Sequence, residues 1–202
     1  MALLPRQGDP TFTNERQRIV VVGTTGSGKS TLARKISHLL DVPHVEMDAL
    51  NWEAGWVAAP TEVFRQRVQD ALAGDAWVTD GNYGNVRDLV WPRATAVVWL
   101  DHPLRVVAWR LFRRTLRRSL TKEELWNGNR ERFLTQFFSR DSLFIWLLKT
   151  YWRRRRTYPL LLKQPEHSHL KVAHLRSQRE TDDWLSGVVA KGGAQTSHPA
   201  DQ

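Results

Sequence analysis

Short runs of apolar and β-branched residues alternate along the chain with longer segments in which apolar residues recur at helical spacing. The short runs predict five strands, over residues 18–23, 44–48, 76–79, 95–100 and 170–175. The longer segments predict helices between them, the first over 29–40 and the second over 62–72. Strands that alternate with helices in this way predict an α/β fold with a parallel sheet.

The first predicted strand runs into a glycine-rich turn with the spacing G-x-x-x-x-G-K-S. Glycines adopt backbone angles that other residues resist, so consecutive N–H groups of such a turn can converge on phosphate oxygens. The first turn of the following helix adds further N–H groups and the positive end of its dipole. The segment that we expect to bind the nucleotide consists of Gly23, Thr24, Thr25, Gly26, Ser27, Gly28, Lys29, Ser30 and Thr31.

The last three residues of this segment have separate roles toward a triphosphate. We expect Lys29 to reach the β and γ phosphates, the Ser30 hydroxyl to complete the coordination of Mg²⁺, and Thr31 to contact the α phosphate. The motif resembles that of the P-loop NTPases, and it predicts ATP and Mg²⁺ as cofactors.

Two carboxylates follow predicted strands. Asp48 ends the second strand, where it either faces a ligand crevice or caps the next turn, and we expect it to join Ser30 at the metal. Asp80 ends the third strand, where it either holds Mg²⁺ or accepts a substrate proton, or simply forms a turn. The loop between them carries Trp52 and Trp56. A phosphate acceptor is therefore expected between the two carboxylates and this loop.

An arginine-rich helix follows the fourth strand. Asp101 is its expected N-cap, because a proline and an amphipathic pattern follow at once. Arg110, Arg113, Arg114 and Arg117 recur at helical spacing and gather on one face. The face is either solvent-exposed or an anion site. Because arginine offsets charge in phosphoryl transfer, we expect Arg110 and Arg114 to act in catalysis together with Lys29 and Asp80.

The positive charge is concentrated in one segment. The chain of 202 residues has a net charge of +9, whereas residues 102–156 hold 15 basic and 4 acidic residues, a balance of +11, which leaves −2 for the remainder. Residues 119–157 also interrupt the strand and helix alternation with helical stretches near 122–126, 130–138 and 142–156, after which Pro159 ends the pattern. Such a block forms a solvated face, a nucleic-acid surface or a clamp for a polyanion.

Composition limits the cellular setting and the number of domains. The chain has no cysteine, which excludes a disulfide scaffold and fits a cytoplasmic protein. No apolar run is long enough to span a bilayer, and no secretory signal precedes the first strand. We expect a flexible N-terminus over 1–17, a single domain over 18–189 and a disordered tail over 190–202.

The whole pattern resembles the nucleoside-monophosphate-kinase-like branch of the P-loop proteins, and within it the adenylate-kinase-related group known as DNA topology modulation proteins. The matching landmarks are Asp48, Trp56, Asp80-Gly-Asn-Tyr83, Leu100-Asp101 with the arginine helix, and Leu175-Arg-Ser177. The resemblance implies a three-layer sandwich with a parallel sheet in the order 2-3-1-4-5, a helical lid over 119–157 and base contact near Arg176.

The acceptor side departs from the adenylate kinases. These carry a Pro and an Arg after their Asp-Gly pair, where this chain has Asn82 and Tyr83. We expect Tyr83 to contact the acceptor and Arg87, on the next helix, to replace the missing phosphate contact.

Two functions fit these features. The first is an ATP-dependent small-molecule kinase with an unidentified acceptor. The second is a nucleic-acid-associated ATPase whose basic segment binds a phosphate backbone and whose aromatic side chains stack on bases. The aromatic residues in question are Trp126, Phe133, Trp146, Tyr151 and Trp152.

Overall fold

The computed structural model describes residues 17–121, 124–129 and 143–193. Its strands are β1 (Arg18–Gly23), β2 (His44–Glu46), β3 (Trp52–Glu53), β4 (Val57–Ala58), β5 (Trp77–Asp80), β6 (Ala96–Leu100) and β7 (Lys171–Leu175). Its helices are α1 (Lys29–Leu40), α2 (Met47–Asn51), α3 (Thr61–Ala71), α4 (Arg87–Val90), α5 (Leu104–Thr121), α6 (Leu143–Leu161) and α7 (Gln178–Gly193).

Five strands form one parallel sheet in the spatial order β2-β5-β1-β6-β7. Counted along the chain, this is the order 2-3-1-4-5, so the predicted α/β fold and strand order are confirmed. The central strands β1, β5 and β6 are buried almost throughout because helices cover both faces of the sheet. This is why β1 from Ile19 onward and β6 are continuous apolar runs rather than alternating ones.

Two apolar cores lie on opposite faces of the sheet. On one face α1 and α7 contribute Ile36 and Trp184 against Val21 of β1. On the other face Phe64 of α3 and Tyr158 of α6 belong to one cluster with buried strand and loop residues. Because the five strands are parallel, their carboxyl ends lie at one edge of the sheet, and ligands bind at this edge in open parallel sheets.

Strand β2 is shorter than predicted. It ends at Glu46, and the chain turns into α2, so Asp48 is the second residue of a short helix rather than the end of a strand. The apolar residue between them, Met47, is buried. An apolar residue beside polar ones fits either assignment, which is why the pattern did not resolve this boundary.

The arginine helix and its successor also differ from the prediction. Helix α5 continues to Thr121. In the predicted helix over 122–126, the described residues Glu124 and Leu125 are not helical, and Trp126 begins a single 3₁₀ turn over Trp126–Gly128 with Asn127 at φ 55°. Helix α6 continues through Pro159 because residues on both sides of it, Tyr158 and Leu162, are buried in the core.

Several predicted segments lie wholly or partly outside the described residues: the N-terminal lead-in apart from residue 17, the helix over 130–138 and the tail from 194 onward. Helix α7 includes residues 190–193, so the first part of the segment predicted as a tail is helical. Within the described ranges, no helix combines the length and apolar character needed to cross a membrane.

Candidate functional site

Glycines determine the backbone conformation of the turn between β1 and α1. Gly26 and Gly28 have φ angles of 77° and 97°, in the left-handed region that favours glycine. Gly28 stands at the start of α1 without a side-chain cap, so the first turn of the helix opens onto this loop. A Cβ atom on Gly26 would lie 2.8 Å from the Val107 carbonyl oxygen of α5. The turn is thus pressed against the arginine helix.

Lys29 projects into the same loop. Its Nζ donates a hydrogen bond to the Thr24 carbonyl oxygen at 3.1 Å, and the Ser27 amide donates to the same oxygen at 3.1 Å. Burial lowers the pKa of Lys29 to about 8, opposed by the negative charge of Asp80 and reinforced by the positive charge of Arg154. The ammonium group is held beside the turn, ready for an anion.

Asp80 is the end residue of β5 and is buried. Its Oδ2 accepts a hydrogen bond from the Ser30 hydroxyl at 2.6 Å, and its Oδ1 lies 2.8 Å from His44 Nε2. The sequence predicted Ser30 and Asp48 together at a metal, whereas the structure brings Ser30 to Asp80. His44 was not anticipated, because its contact depends on the register between β2 and β5.

Asp48 has a different partner. Its Oδ1 accepts a hydrogen bond from the Tyr83 hydroxyl at 2.6 Å. Burial raises the pKa of Asp48, although this hydrogen bond and the charge of Lys29 oppose the shift. Burial and the neighbouring Asp48 charge raise the pKa of Tyr83 as well, while the adjacent Trp52 and Asn51 side chains oppose that shift. The sequence placed Asp48, Tyr83 and Trp52 near the acceptor, and the structure brings the three together.

Residues 124–129, which come after α5 in the chain, contact the β3–β4 hairpin next to Asp48. The rings of Trp52, Trp56 and Trp126 meet edge to face, with centroids 5.9 Å and 6.5 Å apart. Asn129 Nδ2 donates to the Glu53 carbonyl oxygen at 2.8 Å, and Asn129 Oδ1 accepts from the Trp56 amide at 2.8 Å. These contacts fix residues 124–129 against the β3–β4 hairpin.

The four arginines of α5 divide into two pairs. Arg113 and Arg117 are exposed, whereas Arg110 and Arg114 are half-buried. Arg114 lies close enough to Lys29 for its charge to lower the pKa of that group. The helical spacing therefore gathered the arginines correctly, but only one pair faces the site.

Arg110 borders a cavity of about 240 Å³. Its guanidinium donates to the Ser27 carbonyl oxygen at 3.3 Å and to Gln178 Oε1 at 2.7 Å, and it lies 3.0 Å from His102 Nδ1. Beside Ser27, Gly28 and Arg110, the cavity is lined by Thr31, Leu32, Lys35, Leu100, His102, Gln178, Thr181, Asp182 and Leu185. It thus extends from the glycine turn to α7.

Arg154 is a further site residue, and sequence analysis did not single it out. Burial lowers its pKa, and the charge of Asp48 raises it. Its Nη1 is buried and makes no hydrogen bond to the described part of the chain. The neighbouring Arg155 points elsewhere, to Asp101, with its Nε 2.9 Å from Oδ1. Asp101 was predicted as the cap of α5, but that helix begins at Leu104, three residues later, and Asp101 is instead an ion-pair partner.

Two of the predicted contacts lie at the margin of the site. Arg176 precedes α7, is exposed, and its backbone N–H donates to Glu180, while the cavity is lined instead by residues of α7 from Gln178 onward. Arg87 stacks over the Trp91 ring with its guanidinium carbon 5.2 Å from the centroid. No group of three or more potential metal ligands occurs among the His, Asp and Glu side chains that the structure describes.

Comparisons with known proteins give a short sequence match and several matches to solved structures. No family model matches the chain. A stretch of 74 residues, 36% of this chain, is 36% identical to the ATP-dependent Clp protease ATP-binding subunit ClpX of Porphyromonas gingivalis, of which it covers 18%. The chain therefore spans less than a fifth of the length of these curated relatives.

Solved structures match over a larger part of the chain. A shikimate kinase from Acinetobacter baumannii, in complex with shikimate, is 18% identical with a TM-score of 0.50, over 85% of this chain and 89% of that one. A gluconokinase from Sinorhizobium meliloti 1021 is 20% identical with a TM-score of 0.48, over 91% of this chain and 98% of that one. The first of these likenesses shows that the chain shares the α/β fold of that shikimate kinase.

Proposed function

We propose that this protein is an ATP-dependent small-molecule kinase, which moves the γ-phosphoryl group of ATP to a hydroxyl group of a small acceptor. The observation that carries the proposal is the second carboxylate. Nucleotide binding requires the glycine turn, Lys29 and the Ser30–Asp80 pair. Asp48 is additional to these: Tyr83 donates a hydrogen bond to its carboxylate, and the carboxylate lies within electrostatic range of Lys29. A hydroxyl acceptor requires such a carboxylate, because its proton must be taken up during transfer.

The cavity between the glycine turn and α7 fits the nucleoside part of ATP. Its residues continue directly from Gly28 and Thr31, so a triphosphate on the turn would place its ribose and base beside Arg110 and Gln178. The planar guanidinium of Arg110 suits stacking on a base. We therefore assign Arg110 to nucleotide binding and Arg114 to the phosphates, a finer division than the helical spacing allowed.

The charges around the phosphate position favour transfer. Lys29, Arg114 and Arg154 contribute three positive charges against the two negative charges of Asp48 and Asp80, so these five side chains together leave an excess of one positive charge. Because the buried Nη1 of Arg154 makes no hydrogen bond to any residue that the structure describes, a phosphoryl oxygen would satisfy a donor that is otherwise costly to bury. Positive groups fixed in this way stabilise the charge that spreads over the moving phosphoryl group.

Asp48 is the proposed general base. Its carboxylate accepts the proton of the acceptor hydroxyl, the hydroxyl oxygen bonds to the γ phosphorus, and the bond to the bridging β–γ oxygen breaks to release ADP. Asp80 is less suited to this role, because Ser30 and His44 already engage both of its oxygens. Tyr83 fixes the orientation of Asp48 through the 2.6 Å hydrogen bond.

The residues at Asp80 fit a magnesium ion bound with ATP. Ser30 and Asp80 present two hard oxygen atoms in contact with each other at 2.6 Å. Magnesium is usually held by one or two protein oxygens together with substrate phosphates, so the lack of a larger cluster in the described residues is no obstacle. When bound, the ion would neutralise phosphate charge.

The proposal is tested by screening acceptors. ATP consumption would be measured against sugars, polyols, hydroxy acids, nucleosides and nucleoside monophosphates, with Lys29→Ala as the control for contaminating activity. Stoichiometric formation of ADP and a phosphorylated acceptor is the expected result. Hydrolysis that no acceptor stimulates would contradict the kinase assignment.

The lowered pKa of Lys29 predicts how ATP binding depends on pH. The ammonium is lost above a pH of about 8, so Kd for ATP should rise by about tenfold per pH unit well above that value. Calorimetric titrations between about pH 7 and about pH 10 measure this, with Lys29→Arg as the control that keeps its charge. A flat wild-type profile would contradict either the lowered pKa of Lys29 or its contact with the nucleotide, and loss of ATP binding in Lys29→Ala would show which.

A nucleic-acid-associated ATPase is the second candidate, favoured by one observation. Helix α5 carries six basic residues and residues 143–156 of α6 carry five, with no acidic residue in either stretch. Trp109 is exposed on α5, and the predicted stacking residues Trp146 and Trp152 are exposed on α6. Of the predicted stacking residues, however, Tyr151 is buried, Trp126 packs on Trp56 and Phe133 lies outside the described residues.

Ionic strength separates the two candidates. Binding to a nucleic-acid backbone should weaken steeply as salt is raised, since each phosphate contact releases counterions, whereas binding of a single acceptor should respond weakly. Fluorescence titration of single-stranded DNA at several salt concentrations measures the slope. Salt-insensitive binding, or none, would contradict a nucleic-acid function.

A further inference from the structure

The side chain of Asn82, in the segment that follows β5, forms two hydrogen bonds with the backbone of Gly23, the first glycine of the turn. The Gly23 amide donates to Asn82 Oδ1 at 3.1 Å, and Asn82 Nδ2 donates to the Gly23 carbonyl oxygen at 2.6 Å. The backbone groups fix which end of the side-chain amide is which, because an N–H needs the oxygen and a carbonyl needs the NH₂. One side chain thus satisfies both polar groups of one residue.

These two bonds continue the sheet beyond the end of its strand. In β1 the backbone groups of alternate residues face β5, and Val21 accepts a hydrogen bond from the Gly81 amide at 3.3 Å. Gly23 is the next β1 residue that faces this way. At Gly81, with φ 155°, the backbone leaves the ladder. The Asn82 side chain therefore supplies the pairing that another strand residue would have given.

A third bond connects this pairing to α6. The Tyr158 hydroxyl donates to Asn82 Oδ1 at 2.7 Å, and Tyr158 is buried. Arg154, whose charge acts on Lys29 and Asp48, lies four residues earlier and hence on the same face of the helix. The same asparagine therefore contacts the start of the phosphate turn and the helix that brings Arg154 to the site.

We propose that Asn82 is a positioning residue for nucleotide phosphates. It fixes the Gly23 peptide at the start of the turn and, through Tyr158, sets α6 so that Arg154 faces the same phosphates. The inference rests on the proposed nucleotide-binding function and deepens it. It predicts that the three bonds act as one unit, since removal of Asn82 leaves Tyr158 without its acceptor.

The test is a double-mutant cycle on affinity for Mg-ADP, measured by calorimetry with Asn82→Ala, Tyr158→Phe and the double variant. Loss of bonds of this kind should weaken binding by about tenfold for Asn82→Ala and by a few fold for Tyr158→Phe. The double variant should bind as Asn82→Ala does, because the Tyr158 contribution passes through Asn82. Amide hydrogen exchange at Gly23 should also accelerate in Asn82→Ala.

A control variant in β5, the strand that precedes Asn82, separates an effect on positioning from an effect on general stability. Thr79→Val removes the 2.8 Å bond from Thr79 Oγ1 to the Val45 carbonyl oxygen, which tests the effect of losing a side-chain bond in the same sheet, and it should leave affinity unchanged. Tyr158→Phe keeps its ring, so it remains informative should Asn82→Ala fold poorly. Wild-type affinity in Asn82→Ala, or additive losses in the double variant, would overturn the inference alone. No binding by the wild type would overturn the kinase proposal and this inference with it.

Discussion

Replacement of Lys29 by alanine is expected to reduce kcat for phosphoryl transfer by about 10²- to 10³-fold, the range found when one fixed donor to a transition-state charge is removed. ATP binding should weaken as well, since Lys29 projects beside the turn formed by Thr24 and Ser27. Steady-state kinetics with the acceptor found by screening, together with calorimetry, measure both effects.

The matched control is Lys163→Ala. Lys163 is an exposed lysine just after α6, so its replacement removes the same charge and changes the net charge equally. Its kinetics should equal those of the wild type. If Lys29→Ala turned over ATP as fast as this control, the phosphate-binding assignment of the turn would be refuted.

Asp48→Asn should reduce kcat by about 10²- to 10⁴-fold, the usual contribution of a general base, while affinity for ATP changes little. The wild-type enzyme should also lose activity as pH falls, and at a higher pH than an ordinary aspartate would cause. The sign follows from burial, which raises the pKa of Asp48, so the ionised base is lost earlier on acidification. This acid limb should be absent in Asp48→Asn.

Asp80→Asn provides the comparison for Asp48→Asn. Because Asp80 pairs with Ser30 at 2.6 Å, its replacement should instead raise the magnesium concentration needed for half-maximal rate. Equal kinetic profiles for the two variants would contradict the separate roles given to the carboxylates, and a fully active Asp48→Asn would exclude it as the base.

Sequence patterns predicted the elements whose structure is local. The β-branched runs, the glycine turn and the carboxylate at the end of β5 are each specified by a few neighbouring residues. The order of the sheet was correct because it was taken from the resemblance, and not from hydrophobic periodicity. Helical spacing likewise gathered the arginines of α5, of which Arg110 and Arg114 are half-buried.

The remaining site residues depend on contacts distant in sequence. His44 reaches Asp80 only through the pairing of β2 with β5, and Asn82 reaches Gly23 across 59 positions. In the run 153–156, nothing local distinguishes Arg154 from its neighbours, since only the rotational setting of α6 decides which one faces Lys29. Asp48 was placed at a strand end because an apolar residue beside polar ones fits both a short strand and a helix start.

The adjacent arginines of α6 have a consequence for how the chain can vary. Arg155 is anchored on Asp101 and Arg154 faces the site, although the two are neighbours in sequence. Leu147, nearer the start of α6, is buried against α5, and each residue of a helix is rotated by about 100° from the next. A single residue inserted or deleted between Leu147 and this pair would therefore move Arg155 away from Asp101 and Arg154 away from the site. A whole inserted turn would restore the rotation but shift the pair by about 5.4 Å along the axis, so length changes in this part of α6 should not be tolerated, whereas exchange of its exposed side chains should be free.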